Sequence, residues 1–368
     1  MVSSNPLKVL KNIPLAPLTT FKIGGQARLF VKAESEDQVV EALEFAANEG
    51  LKLFVLGGGS NILVSDEGFD GLVIQIALKG ISGGDASVNE RADLSSESTL
   101  LNSRVSARKL TAQAGEDWDE FVSYCVGLNL AGIECLSGIP GFVGGTPVQN
   151  VGAYGQDVSE TIVSVRCLDR KAEEIVDLTK SECGFGYRTS IFNTSMLDRY
   201  IVMSVTYSLM KGGPPKIAYK DLKDFFSGRE PTLGETRKAV LGIRAAKSMV
   251  IDANDPNSKS AGSFFKNPVV DREILAAIIE NSGAEDVPYF EVDEKSVKIP
   301  AAWLIENAGF HKGFAMGNAG ISTRHSLAVI NRGNATAKDV LQLKDAIVSG
   351  VNAKFGIELN PEPIFIGF

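Results

Sequence analysis

A stretch of nineteen residues, SGIPGFVGGTPVQNVGAYG at 137–155, holds six glycines and constrains this chain more than any other feature. Glycine loses more conformational freedom on folding than any other residue, so ordering such a run is costly. A loop this long and glycine-dense usually has a function; the alternative is an irregular connector. It offers backbone N–H groups, the side-chain amides of Gln149 and Asn150, and apolar spacers. That mixture suits a cofactor with a diphosphate, a ribityl chain and a flat polar ring.

A smaller cluster, Gly57-Gly58-Gly59 with Ser60, Asn61 and Ile62 after it, follows a buried strand expected at 51–56. Glycine after a strand lets the backbone approach an anion, and consecutive N–H groups can form a nest for it. The same residues also make a plain tight turn between strands. This is not the dinucleotide fingerprint of a Rossmann unit. That spacing requires glycine where Ile62 stands, and the following residues read as strand rather than helix.

Around these loops, strand and helix signals alternate. Residues 27–31 read as a strand. Ser35 then opens a helix, with Gln38 three residues on completing a capping box. Val39, Val40, Leu43, Ala46 and Ala47 share one helical face, and Gly50 ends it. A strand is expected at 71–76, an amphipathic helix at 116–129, and strands at 162–168 and 200–209. Gly212-Gly213-Pro214-Pro215 breaks the chain before Tyr219. From about Met249 the pattern predicts helices at 272–281, 300–307 (with proline in its first turn) and 336–355. A strand is expected at 327–330, and an edge strand at 363–366 returning to a neighbouring sheet. Residues 82–104 are polar and read as an insertion or an extended hairpin tip. The fold class is α+β.

A net charge of −8, with no run of five like charges, argues against nucleic acid as a partner. The four cysteines form no C-x-x-C pair, and only two histidines accompany them, so no metal site is expected. Free thiols in a reducing cytoplasm are the simplest reading. The opening residues lack the apolar core of a signal peptide, and no run of about 18 apolar residues predicts a membrane span. Trp118 and Trp303 have apolar neighbours at helical spacing and are expected in the core.

Six segments, TTFKIGG (19–25), LGGGSNIL (56–63), SGIPGFVGGTPVQNVGAYG (137–155), GYRTSIF (186–192), AGSFFKNP (261–268) and NPEP (360–363), occur in the same order in one known family. The chain resembles UDP-N-acetylenolpyruvoylglucosamine reductase. The resemblance implies a bipartite FAD-binding fold of the vanillyl-alcohol-oxidase type, with a smaller C-terminal α+β substrate domain. It implies a first FAD-binding lobe at 1–79 with 350–368 returning to it, a second FAD-binding lobe at 80–247, and the substrate domain at 248–349. It also implies non-covalent FAD, NADPH as co-substrate, reduction of UDP-N-acetylglucosamine enolpyruvate, and a monomer.

By the same resemblance, Ser263 is the proton donor, and Arg188 and Glu362 stabilise the intermediate. The resemblance places FAD contacts on Gly57, Gly58, Gly59, Ser60, Asn61 and Ile62 and, in the longer loop, on Ser137, Gly138, Ile139, Pro140, Gly141, Gly145, Gln149, Asn150, Gly152, Ala153 and Tyr154. Tyr187, Tyr219, Lys247, Asn267 and Asn307 bind substrate, Tyr219 belonging to the subtype whose tyrosine folds over it. His311 and His325 lie in no such motif. Two other readings stay open. One is an oxidase on the same FAD scaffold, with Cys135 as a weak candidate tether. The other is a nucleotide-sugar binding protein without activity.

Overall fold

In the computed structural model, which describes residues 7–85, 106–282 and 287–368, the Ser35 hydroxyl accepts from the Gln38 amide N–H at 3.2 Å and opens the helix Glu36–Asn48. The Gln38 side chain reaches past Ser35 to the Glu34 amide at 2.8 Å. Val39, Ala42 and Ala46 form the buried stripe; Ala47 is exposed, and Gly50 closes the helix with φ +60°. The chain divides into two compact units. The first takes Leu29–Gly58 and Gly71–Ala245 with the first residues up to Lys11; the second takes Asn12–Arg28, Gly59–Asp70 and Ala246–Phe368.

The first unit is built on an antiparallel sheet in the order Glu174–Thr179, Ile162–Asp169, Tyr200–Lys211, Ser106–Gln113, Ile81–Asp85, with Leu130–Ala131 beside Tyr200–Lys211. Val165, Val205 and Ala112 lie on one register line and are fully buried, as the two-residue period of a half-buried sheet requires. Nearby, Leu53–Leu56 pairs in parallel with Phe69–Ile76. The helix Trp118–Gly127, capped by Asp117, is shorter at both ends than its pattern predicts. It sends Trp118 and Phe121 into the core against Tyr207, with ring centroids 5.2 to 6.0 Å apart. Two further helices, Lys220–Phe226 and Leu233–Ala246, complete the unit.

Of the polar stretch expected at 82–104, residues 82–85 belong to a strand paired antiparallel with Ser106–Gln113, and 86–104 lie outside the described residues.

In the second unit, Phe21, Leu63, Phe264, Phe265, Leu304 and Leu343 belong to one core. The helix Ala337–Phe355 is held at its N-terminus by a Thr336–Asp339 capping box. Its first amides, Ala337 and Lys338, also donate to the Asp66 carboxylate at 2.7 and 3.1 Å, where the helix dipole favours negative charge. Pro300 stands one position earlier than expected, as N-cap of Ala301–Asn307. The strand expected at 327–330 is Val329–Asn331, displaced because Leu327 gives its carbonyl to the Phe264 amide instead. The last strand, Ile364–Ile366, pairs in parallel with Ile62–Val64. Trp303 packs beside this core, 5.5 Å from Phe355.

Candidate active site

In the first unit the two glycine clusters meet backbone to backbone. A Cβ on Gly58 would lie 2.7 Å from the Gly141 Cα, so no side chain fits there. Gly57 and Gly145, by contrast, face open space. The flanks of the longer loop are fastened. Trp118 N–H donates to Gly141 O at 3.0 Å, Val143 N–H to Glu116 O at 2.9 Å, and Gly144 N–H to Ala114 O at 2.9 Å. The Ser137 hydroxyl donates to Glu134 O at 2.6 Å.

Open backbone at Gly57 and Gly145, beside the close Gly58–Gly141 contact that admits no side chain, leaves room for a dinucleotide diphosphate and a flat ring, so these residues suit FAD.

A side-chain network backs this loop. Asp119 accepts from the Gly138 amide and takes both Arg237 Nη atoms, Nη2 at 2.8 Å. Burial pushes the Asp119 carboxyl up, but the Arg237 and Gly138 hydrogen bonds outweigh it and hold the group below its ordinary value. Leu241 and Arg244 follow Arg237 on the same face of Leu233–Ala246 and touch the space a Gly138 side chain would fill. Arg244 is 7% exposed and shares a side-chain hydrogen bond with Tyr154.

The later stretch of the loop is stapled to GYRTSIF. Asn150, buried and at φ +45°, donates from Nδ2 to Gly186 O at 2.9 Å and accepts from Ser159 N–H at 3.1 Å. The chain thus engages both ends of its amide. The Ser190 hydroxyl donates to Val148 O at 2.6 Å. Arg188, at φ +55°, donates to the carbonyls of Gly152 and of Asn150, the latter at 3.4 Å. It lies 3.6 Å from Asp157 and 5.3 Å from the Tyr187 ring. A Cβ on Gly152 would lie 1.7 Å from Asp157 Oδ1 and 2.8 Å from Arg188 Nη1, so a side chain there would displace the Asp157–Arg188 pair. Tyr219 meets Tyr154 edge-on at 5.6 Å and is 40% exposed, as is Tyr187.

In the second unit, backbone pairing does the fastening. Phe264 N–H donates to Leu327 O at 2.7 Å, Glu362 N–H to Phe264 O at 2.9 Å, and Lys266 N–H to Asn360 O at 2.9 Å. AGSFFKNP and NPEP therefore run side by side, and Ser263 and Glu362, both partly buried, fall at one junction. Asn61 joins it, donating from Nδ2 to Glu362 O at 3.2 Å and accepting from Ile364 N–H at 3.0 Å. Thr20 holds Gly59 and Ser60: its amide donates to Gly59 O at 3.0 Å and its hydroxyl lies 3.4 Å from Ser60 O and 2.6 Å from Ser260 O.

Asn267 accepts from the Ala301 amide at 2.9 Å, capping that helix. Asn307 is exposed and donates to Trp303 O at 2.9 Å. Lys247, partly buried, follows the helix Leu233–Ala246. His311 is exposed, its Nδ1 2.9 Å from Lys312 O.

All four cysteines are buried and free, and burial pushes the thiols of Cys125, Cys135 and Cys183 up to about 12. Such a thiol carries almost no thiolate, so Cys135 makes a poor flavin tether. Among the described residues no group of three or more His, Cys, Asp or Glu could hold a metal ion, and no helix is long and apolar enough to cross a membrane.

Residues 27–179 match the model of an FAD binding domain. Residues 255–366 match that of the C-terminal domain of UDP-N-acetylenolpyruvoylglucosamine reductase. The reductase of that name from Thermobifida fusca is 44% identical over 97% of this chain and 98% of its own. The one from Saccharopolyspora erythraea is 42% identical over 96% and 94%. The chain belongs to the UDP-N-acetylenolpyruvoylglucosamine reductase family. The crystal structure of the Thermus caldophilus reductase shares the fold, with a TM-score of 0.61 at 24% identity over 98% of each chain.

Within this reductase, sequence reasoning missed Asp119, Glu134, Arg237 and the helix Leu233–Ala246. A signal for the helix was present: Thr232 and Glu235 form a capping box, with Thr232 N–H to Glu235 Oε2 at 2.8 Å and Glu235 N–H to Thr232 Oγ1 at 3.2 Å.

Proposed function

We propose that this chain reduces UDP-N-acetylglucosamine enolpyruvate to UDP-N-acetylmuramate with NADPH, for peptidoglycan precursor synthesis, acting as a cytoplasmic monomer. The observation that carries this reading is the junction of AGSFFKNP with NPEP. Backbone pairing sets Glu362 beside Phe264, the neighbour of Ser263, although the two segments lie about a hundred residues apart, which supports a shared role for the two side chains. Residues 57–62 and 137–154 would hold FAD, which would supply the hydride chemistry between NADPH and the enolpyruvyl double bond. We assign the first FAD-binding lobe to 1–79 with 350–368, the second to 80–247, and the substrate domain to 248–349.

Hydride addition at C3 leaves carbanion character at C2, delocalised onto the substrate carboxylate. Arg188 and Glu362 stabilise that charge distribution, the guanidinium fork suiting a planar carboxylate. The Ser263 hydroxyl delivers the proton to C2. Tyr187, Tyr219, Lys247, Asn267 and Asn307 hold the nucleotide sugar, with Tyr219 and Lys247 facing its diphosphate. In Asn267 the helix cap at Ala301 fixes Oδ1 and so orients Nδ2.

Ser263→Ala tests the proton transfer. Stopped-flow measurement should show flavin reduction by NADPH nearly intact and anaerobic reoxidation by the enolpyruvyl substrate slowed at least about 10²-fold, the usual size for a lost general acid. Equal slowing of both halves rejects the role.

A further inference from the structure

Glu134 is fully buried in an apolar stretch. A carboxylate is an acceptor only, and one removed from water must be met by converging donors. Here Oε2 accepts from the Gly132 amide at 2.7 Å, while Oε1 accepts from the Lys216 amide at 2.9 Å and from Gln156 Nε2 at 3.3 Å. Gln156 belongs to the end of the flavin loop, and its Oε1 accepts from the Cys135 amide at 2.9 Å. Lys216 belongs to the segment that leads to Tyr219.

Pro214 and Pro215 have no N–H, so the Lys216 amide is the first group after them that an acceptor can grip. The rest of that residue is held as well. Its carbonyl accepts from Cys135 Sγ at 3.2 Å, and its Nζ lies 2.7 and 2.8 Å from the Glu160 carboxylate oxygens. Three residues on, Tyr219 rests on Tyr154, and a Cβ on Gly155 would lie 3.3 Å from the Ala218 Cβ.

We propose that Glu134 is a positioning residue: it clamps the segment 216–219 onto the flavin loop and so sets where Tyr219 meets substrate. The consequence for substrate rests on the role given to Tyr219 above; the clamp itself does not. Glutamine has the same shape but one carbonyl. With that oxygen toward Lys216 and Gln156, its NH₂ confronts the Gly132 N–H; turned the other way, it confronts two donors. Glu134→Gln therefore loosens the clamp without opening a cavity.

The experiment has two readouts. Amide hydrogen exchange across 216–219 should rise at least about tenfold in Glu134→Gln, while exchange in the helix Trp118–Gly127 stays unchanged. The KM for the enolpyruvyl substrate should rise about tenfold, the cost of one unmet buried donor, with the rate of flavin reduction by NADPH unaltered. In a Tyr219→Ala background the substitution should raise KM no further. Unchanged exchange across 216–219, or an equal KM increase in that background, overturns the proposal. If Tyr219→Ala alone leaves KM unmoved, the substrate role of Tyr219 falls, and the exchange measurement alone decides the clamp. Should Glu134→Gln not fold, Lys216→Pro removes the same donor from the loop side and carries the KM comparison.

Discussion

The flavin loop of the first unit and the Ser263–Glu362 junction of the second are both irregular chain held in fixed geometry, with side chains contributing more in the first and main chain more in the second. In the first, main-chain bonds at Gly141, Val143 and Gly144 are supplemented by side chains: Asp119 to the Gly138 amide, the loop's own Asn150 to Gly186, and Ser190 to Val148. In the second, main chain bonds main chain: Phe264 to Leu327, Glu362 to Phe264, Lys266 to Asn360. A glycine-dense loop has few side chains of its own, so part of its support comes from side chains outside it. A segment such as SFFK, with two phenylalanines in the core, can pair its backbone like a strand. The first region should therefore be sensitive to single side-chain changes, and the second should be sensitive mainly at the reacting groups.

The sharpest test of that contrast is at the contact of the two glycine clusters. Gly58→Ala places a methyl 2.7 Å from the Gly141 Cα and 3.0 Å from the Phe142 amide nitrogen, all backbone that cannot rotate away. Overpacking of this kind costs about 1–3 kcal/mol and here falls on the cofactor cradle. The purified variant should lose its flavin absorbance, with the Kd for added FAD raised about 100-fold by fluorescence titration. Retention of FAD at wild-type affinity would show that the two loops do not act as one cradle.

Asp119→Asn asks the same of the network behind the loop. It removes the charged partner of Arg237 and weakens the bond to Gly138, for an expected stability loss of about 1–2 kcal/mol in urea unfolding at neutral pH. The sign with pH follows from the carboxyl being held below its ordinary value of 3.8. Its contribution is complete above that value and is lost as pH falls through the lower folded one. The gap between wild type and variant should be constant from neutral pH down to about 4 and close below that. A gap that widens on acidification would mean the variant acts through some other group.

Much of this was legible in the chain. The six motifs gave the family, and the glycine spacing ruled out a Rossmann unit before any geometry was known. The Ser35 cap, the Thr336 helix and two strands of the main sheet, at 162–168 and 200–209, followed from local patterning; its other strands did not. The supports of the flavin loop could not be read in the same way. Asp119 meets Arg237 from 118 residues away, and Glu134 meets Lys216 from 82. A lone Glu in AGIECLSG was the one visible oddity, a charge in an apolar run, but nothing local said which amides would answer it. Ser263 and Glu362 were found as motif members; their proximity needed the fold.

The missed helix gives the smallest test and isolates what glycine does outside the cradle. Leu233–Ala246 carries Gly234 and Gly242, which blur its periodicity, yet it presents Arg237, Leu241 and Arg244 to the loop. Gly242 is exposed, its φ is not left-handed, and a Cβ there would meet nothing within 4 Å. No close approach requires it, unlike Gly58. Gly242→Ala should therefore stabilise the protein by about 0.5–1 kcal/mol, by narrowing the unfolded ensemble and favouring helix. FAD affinity should not change. A loss of stability would place a partner against that helix face, and a change in FAD affinity would mean that the helix transmits strain to the loop through Arg237 and Arg244 rather than serving as a fixed support.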